Sequence, residues 1–293
     1  MTNLVAPSPA GVSLAGAQNK DGGWGYRGGS SWTEPTAFAL LALSGQADSG
    51  PALQRARKWL AGCLRPDGGF APRPDVADST WVTALVLLAG ACPHGSETRA
   101  REWLLAQSNR DAALVFRLRQ WMLGNSRLSD AEAPGWSWFP GTAAWVVPTS
   151  LSILALEKAG QRQADPRIQE RIAKGRTYLL ARRCEDGGWN HGSSKALGYQ
   201  AVSYPETTGI ALTALRGLDV RRLEKSLARA REHLRTCRSL EGANWLRLGL
   251  LAHGEDAPDA GQKLTPRTLL DTALGAIARR AAAGPCPLWE AAR

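Results

Sequence analysis

The sequence predicts an all-α fold: a double ring of about eleven helices, with an apolar inner set and an amphipathic outer set. Three observations predict it. A short phrase recurs four times, two kinds of helical segment alternate between its copies, and no segment shows the period-two pattern of a strand.

The phrase couples a glycine-aromatic turn to an apolar helix that opens on threonine. It reads Asp21-Gly22-Gly23-Trp24 before Thr36, and Asp67-Gly68-Gly69-Phe70 before Thr80 and Thr83. A degenerate copy has Gly135-Trp136 before Thr149, and the fourth has Asp186-Gly187-Gly188-Trp189 before Thr207-Thr208. Copies spaced by roughly 45 to 70 residues mark a repeat architecture. The paired glycines reverse the chain through dihedrals closed to other residues, and Trp24, Phe70, Trp136 and Trp189 are expected to plug the gaps between helix pairs.

Taken in order, the helices after the turns (36–43, 80–88, 149–156 and 207–215) carry little or no polar stripe and must be covered on all sides. Segments 51–64, 97–107, 166–182 and 220–235 alternate leucine or aromatic residues with arginine and glutamate, so each has one face for a core and one for water. Further helices are expected at 112–123, 243–252 and 266–282.

The repeat runs without a linker, which predicts one domain over 1–293, clearest in 15–218 and flexible in 1–14. A hydrophobic share of 44% suffices to bury a core. The longest apolar run, 83–92, is too short to span a bilayer, and 1–20 lacks the pattern of a signal peptide. The cysteines (Cys63, Cys92, Cys184, Cys237, Cys286) form no C-x-x-C pair, which fits a reducing cytoplasm. A net charge of +10 reads first as a solvated outer face. It also suits anionic lipid headgroups or a diphosphate substrate, so peripheral membrane contact stays open. Nucleic acid is excluded as a partner, because the aromatics are not interleaved with the arginines.

The run Lys174-Gly175-Arg176-Thr177-Tyr178-Leu179-Leu180, leading to Gly187-Gly188-Trp189, resembles the repeat of squalene-hopene cyclases and protein prenyltransferase β subunits. Arg57-Lys58-Trp59-Leu60 before Gly68-Gly69-Phe70 is a looser copy, and 15–24 keeps that family's glutamine as Gln18. The resemblance implies an α/α-toroid whose central cavity accepts isoprenoid chains. It places Trp32, Glu34, Asp75, Asp78, Trp81, Trp145, Tyr199, Tyr204 and Glu206 at the cavity mouth.

Class II terpene cyclases begin by protonating an alkene or epoxide. That needs a carboxylic acid held neutral in a dry pocket. The family's Asp-x-Asp-Asp-Thr run is similar to Asp75-Val76-Ala77-Asp78-Ser79-Thr80. Anchored on Asp75, the donor position falls on Ala77; anchored on Thr80, it falls on Asp78. The plainer reading is that Asp78 caps its helix, where a carboxylate would be ionised. Glu34 and Glu206 occupy similar places. Of twelve tryptophans, Trp32, Trp81, Trp138, Trp145 and Trp245 remain to line a cation-stabilising cavity.

The histidines show no zinc pattern beside a cysteine, and no metal or cofactor is expected. Three readings stand together: a terpene cyclase-like enzyme acting on an isoprenoid small molecule, a non-catalytic ring that binds an isoprenoid or a protein, and a prenyltransferase-like subunit working with a partner chain.

Overall fold

The computed structural model describes residues 13–107, 134–192, 195–196, 199–259 and 264–290. The segment predicted helical at 112–123, and all but the last two residues of the predicted flexible stretch 1–14, lie outside the described residues. Among the described residues the fold is all-α, as expected. The α-helices are α1 (Thr33–Leu43), α2 (Gly50–Ala61), α3 (Val82–Leu88), α4 (Glu97–Ala106), α5 (Val146–Arg162), α6 (Pro166–Ala181), α7 (Pro205–Ala214), α8 (Glu224–Thr236), α9 (Leu240–Leu251) and α10 (Leu269–Ala283). Strands amount to two antiparallel ladders of two residues per strand, β1 (Trp136–Ser137) with β2 (Ala144–Trp145) and β3 (Lys195–Ala196) with β4 (Tyr199–Gln200).

The apolar helices close a ring. α1 packs on α3, α3 on α5, α5 on α7, α7 on α9, α9 on α10, and α10 returns to α1. The amphipathic helices stand outside: α2 on α1, α4 on α3, α6 on α5, and α8 against both α7 and α9. In α3 every residue is buried, and in α1 all but Glu34. In α2 only Ala52, Ala56, Trp59 and Leu60 are buried. α1 and α3 bury their whole circumference because they have neighbours on every side, whereas the outer helices, and α10 of the ring, bury a stripe.

The repeat phrase fastens each pair, though the threonines do not open their helices. They sit within the first turn, and each hydroxyl accepts the backbone N–H of the turn aromatic: Trp24 to Thr36 at 2.9 Å, Phe70 to Thr83 at 2.8 Å, Trp136 to Thr149 at 2.8 Å and Trp189 to Thr208 at 3.0 Å. The four aromatics are buried as expected of plugs. The indoles of Trp24, Trp136 and Trp189 donate to the carbonyls of Leu14, Leu104 and Leu179. Gly22, Gly68 and Gly187 take φ of +96°, +93° and +98°. A Cβ on them would lie 2.7, 2.9 and 2.8 Å from the carbonyl oxygens of Arg55, Arg99 and Lys225 on the outer helix.

The outer helices carry their own motif, a small residue followed three positions later by an aromatic ring. Ala56 and Trp59, Ala100 and Trp103, Gly175 and Tyr178, and Ala230 and His233 are the four instances. A Cβ on Gly175 would meet the Trp136 ring at 2.7 Å, so the small residue makes room for the plug. The ring closes the turn: Trp59 donates to Asp21 at 3.1 Å and Trp103 to Asp67 at 2.9 Å. His233 meets Ser203, which donates to Asp186.

Candidate functional site

Counting back from the fastening threonines fixes the register of the ring. Two residues earlier lie Glu34, Trp81, Val147 and Glu206. In α1, α5 and α7 these are the second helical residue, a place taken in α9 by Glu241 and in α10 by Leu270. Glu34, Val147, Glu206, Glu241 and Leu270 converge at the N-terminal pole of the ring. One helical turn below, four residues on along each helix, lie Phe38, Leu151, Ile210, Trp245 and Leu274. Three carboxyls thus stand over an apolar tier, where Phe38 and Trp245 meet edge-on with centroids 6.0 Å apart.

The space between the two tiers is about 40 Å³. That holds a water or two, whereas ligand pockets run to about 300–1,000 Å³. Among the described residues, the space at this pole is thus narrower than the expected aromatic-lined hollow, with Phe38 and Trp245 in contact beside it.

Burial at this pole raises the pKa of two of these carboxyls, Glu34 and Glu241. Burial raises the Glu34 pKa, against the Tyr26 hydroxyl, which donates to its Oε2 at 2.5 Å. Burial, with repulsion from Glu34, Asp271 and Glu206, pushes Glu241 up to about 7. The Tyr26 phenol is itself held protonated, first by its burial and then by the charge of Glu34. A carboxyl that keeps its proton near neutrality can donate it.

The expected site residues divide into three groups. Glu34 and Glu206 meet at the pole, together with Trp245 in the tier below. Trp32, Trp145 and Tyr204 are the N-cap residues of α1, α5 and α7, and form a rim outside the constriction. Arg73 lies over the Trp32 ring at 5.1 Å, Tyr204 pairs with His191 at 5.3 Å, and both Trp145 and Tyr204 are exposed. Trp81 packs edge-on to Trp138 at 4.7 Å on the same rim. The Tyr199 side chain lies outside the described residues.

Asp75 and Asp78 are not at the pole. Both are exposed on the loop before α3; Asp75 pairs with Arg73 at 2.7 Å, which holds its carboxyl below the usual range. Asp78 does not cap α3 either, since the N-cap is Trp81 and no side chain bonds the helix there. Asp78 thus stands apart from the glutamates of the pole, and in its own repeat it is Thr83, five residues on, that accepts the N–H of the turn aromatic.

Sequence reasoning missed Glu241, because the pair formed by α8 and α9 has no glycine-aromatic turn before its inner helix. The available signal was Ser239, whose side chain accepts the N–H of Gly242 and so marks the start of α9 two residues before Glu241.

No family model matches the chain. Part of it is 47% identical, over 66 residues, to the drimenyl diphosphate synthase of Streptantibioticus cattleyicolor, a stretch covering 22% of this chain and 12% of that protein. A second drimenyl diphosphate synthase, from Streptomyces showdoensis, is 43% identical over 71 residues, 13% of its length. Among solved structures, the type II terpene cyclase MstE from Scytonema, in complex with geranylgeranyl dihydroxybenzoate, superposes with a TM-score of 0.53 at 19% identity, over 92% of this chain and 74% of that one. A protein from Actinoplanes superposes with a TM-score of 0.52 at 17% identity over 95% of this chain. The resemblance to terpenoid cyclases is thereby borne out, and the fold is shared with MstE.

Proposed function

We propose that this protein acts on an isoprenoid chain as a type II terpene cyclase-like enzyme, with Glu241 and Glu34 as the acid pair. One observation carries the reading. Two carboxyls that favour their protonated forms stand at helix N-termini directly above an apolar, partly aromatic tier. The short matches to drimenyl diphosphate synthases and the fold shared with a cyclase that binds a geranylgeranyl compound support the substrate class.

In the proposed step, a terminal alkene or epoxide lies against the protonated carboxyl. The proton passes from the glutamic acid to the alkene carbon or epoxide oxygen, leaving a carboxylate and a carbocation. The N-termini of the inner helices stabilise that carboxylate, and the Tyr26 hydroxyl hydrogen-bonds to Glu34. The faces of Phe38 and Trp245 stabilise the cation. Entry of the chain at this pole requires these two rings to move apart, because the space they line is about 40 Å³.

Assay against squalene and a panel of polyprenyl diphosphates tests the proposal. Glu241→Gln and Glu34→Gln should each lower product formation by about 10²-fold or more, while Asp78→Asn should leave it unchanged. Loss of activity in Asp78→Asn with activity kept in both glutamine variants would return the acid to the loop.

The narrowness of the space beneath the glutamates favours a second reading, a ring that binds an isoprenoid or a partner chain without catalysis. Mass spectrometry of lipid extracted from the purified protein separates the two. Unchanged isoprenoid, with no turnover of any panel member, supports the binder. Cyclised product supports the enzyme.

A further inference from the structure

The opposite pole of the ring holds a cavity of a different chemistry. Its volume is about 780 Å³, within the range of small-molecule sites. The C-terminal ends of four inner helices form it: Leu41 of α1 with its C-cap Ser44, Ala89 and Gly90 after α3, Lys158 and Arg162 of α5, and Arg280 of α10. Arg57 of α2 and the segment 285–290 complete the wall. The lining brings together four cations, Arg57, Lys158, Arg162 and Arg280, with Glu290 as its one carboxylate.

Part of this charge is structural. Lys158 Nζ donates to the carbonyls of Leu88 at 2.9 Å and Pro287 at 2.7 Å. Arg280 Nη1 donates to Leu41 and Ser44, and Arg57 Nη1 donates to Gly90 at 2.7 Å. Cations at helix C-termini complement the helix dipole.

Capping leaves two features unexplained. Arg162 is paired with Glu97 at 3.0 Å, but among the described residues Arg57, Lys158 and Arg280 have no carboxylate partner, and Nη2 and Nε of the half-buried Arg280 have no acceptor. Caps also need no cavity between them, yet here an open volume separates the cations, walled partly by the apolar Leu41, Ala89, Pro285 and Pro287. Lys158 is buried, and its pKa is lowered to about 8 by that burial and by Arg162 and Arg280. Such a cluster is short of negative charge. Guanidinium groups match phosphate oxygens in pairs, and a buried ammonium adds a point charge.

We infer that this cavity binds a phosphate or diphosphate group carried by a molecule with an apolar part. The head would sit among Arg57, Lys158, Arg162 and Arg280, and the apolar part against the proline and leucine wall. The site lies a helix length, about 15 Å, from the glutamates. It stands independently of the cyclase reading, because none of its residues touches the acid pole.

Isothermal titration with inorganic diphosphate tests it on the full chain. Arg57 and Arg162 are exposed and the double variant Arg57→Gln/Arg162→Gln gives up one surface contact at each, to Gly90 and to Glu97, so its melting temperature should fall only slightly. It is expected to bind diphosphate at least about tenfold more weakly than the wild type. Glu290→Gln, which removes the opposing charge, is expected to bind more tightly. Two arms identify the source of the head group. Tighter binding of a prenyl diphosphate than of inorganic diphosphate assigns a soluble phosphate ester. Binding to phosphatidylglycerol but not phosphatidylcholine vesicles, lost in the double variant, assigns a lipid headgroup. Equal affinity in wild type and double variant, or no binding to any of these probes, overturns the inference.

Discussion

Glu241 shows how one residue can work against the fold it belongs to. Its carboxyl titrates near 7 in the folded protein, above the ordinary glutamate value, so folding favours the protonated form. The sign follows: its contribution to stability is intact below the unfolded pKa and is lost as pH rises through about 7. Glu241→Gln should therefore stabilise the protein at pH about 8, by about 2 kcal/mol after allowance for its partial exposure, and do little at pH about 4. Thermal melts at the two pH values check this; an equal effect at both would remove the link to titration. Glycine at 187 makes the opposite case, where the residue is needed by the backbone. With φ at +98° and a Lys225 carbonyl 2.8 Å from any Cβ, Gly187→Ala should cost about 2–3 kcal/mol in denaturant unfolding.

Each helix pair is held by its turn, and the turn by a few polar bonds in apolar surroundings. Thr208→Val keeps the shape of the side chain but leaves the Trp189 N–H without its acceptor, and should cost about 1–3 kcal/mol. The aspartates of the turns add a pH dependence of the other sign. Burial alone would raise Asp67 and Asp186, but donated hydrogen bonds outweigh it. Ser79, the N–H of Gly69 and Trp103 hold Asp67 below its usual range; Ser203, the N–H groups of Gly188 and Ser203, and the charge of Arg229 do the same for Asp186. Their contribution is present above the ordinary aspartate pKa and is lost as pH falls through the lowered values. Asp67→Asn should accordingly flatten the acid limb of a stability-against-pH curve. An acid limb as steep as that of the wild type would show that the turn does not depend on this charge.

For the whole ring the question is what fills its axis. Trp245 crosses toward Phe38, and with Leu151, Ile210 and Leu274 leaves only about 40 Å³. Trp245→Ala should cost about 3–5 kcal/mol and open a dry channel below the glutamates. Under the proposed function, the same variant should take up a prenyl chain more readily while cyclising it less, since the cation loses an aromatic face. Retention measured by mass spectrometry, set beside turnover, gives both readouts. A variant that retains no more isoprenoid than the wild type would argue that chains do not enter along this axis.

Much of this architecture is written in local pattern. The glycine-aromatic turns, the apolar runs after them and the striped helices between them are short-range features, and each carries its consequence for burial wherever it lies in space. That is why the double ring, the plugs at Trp24, Phe70, Trp136 and Trp189, and the placing of Glu34 and Glu206 near the starts of inner helices were legible from the chain alone. The rest depended on distance between helices. Asp78 faces solvent on the loop before α3, and that exposure is set by how the loop folds over its neighbours. Glu241 joins the acid pole because α9 closes the ring between α7 and α10. Neither the narrow space beneath the glutamates nor the cation-lined cavity at the far pole could be read in one dimension, since both are made by side chains brought together from at least four helices.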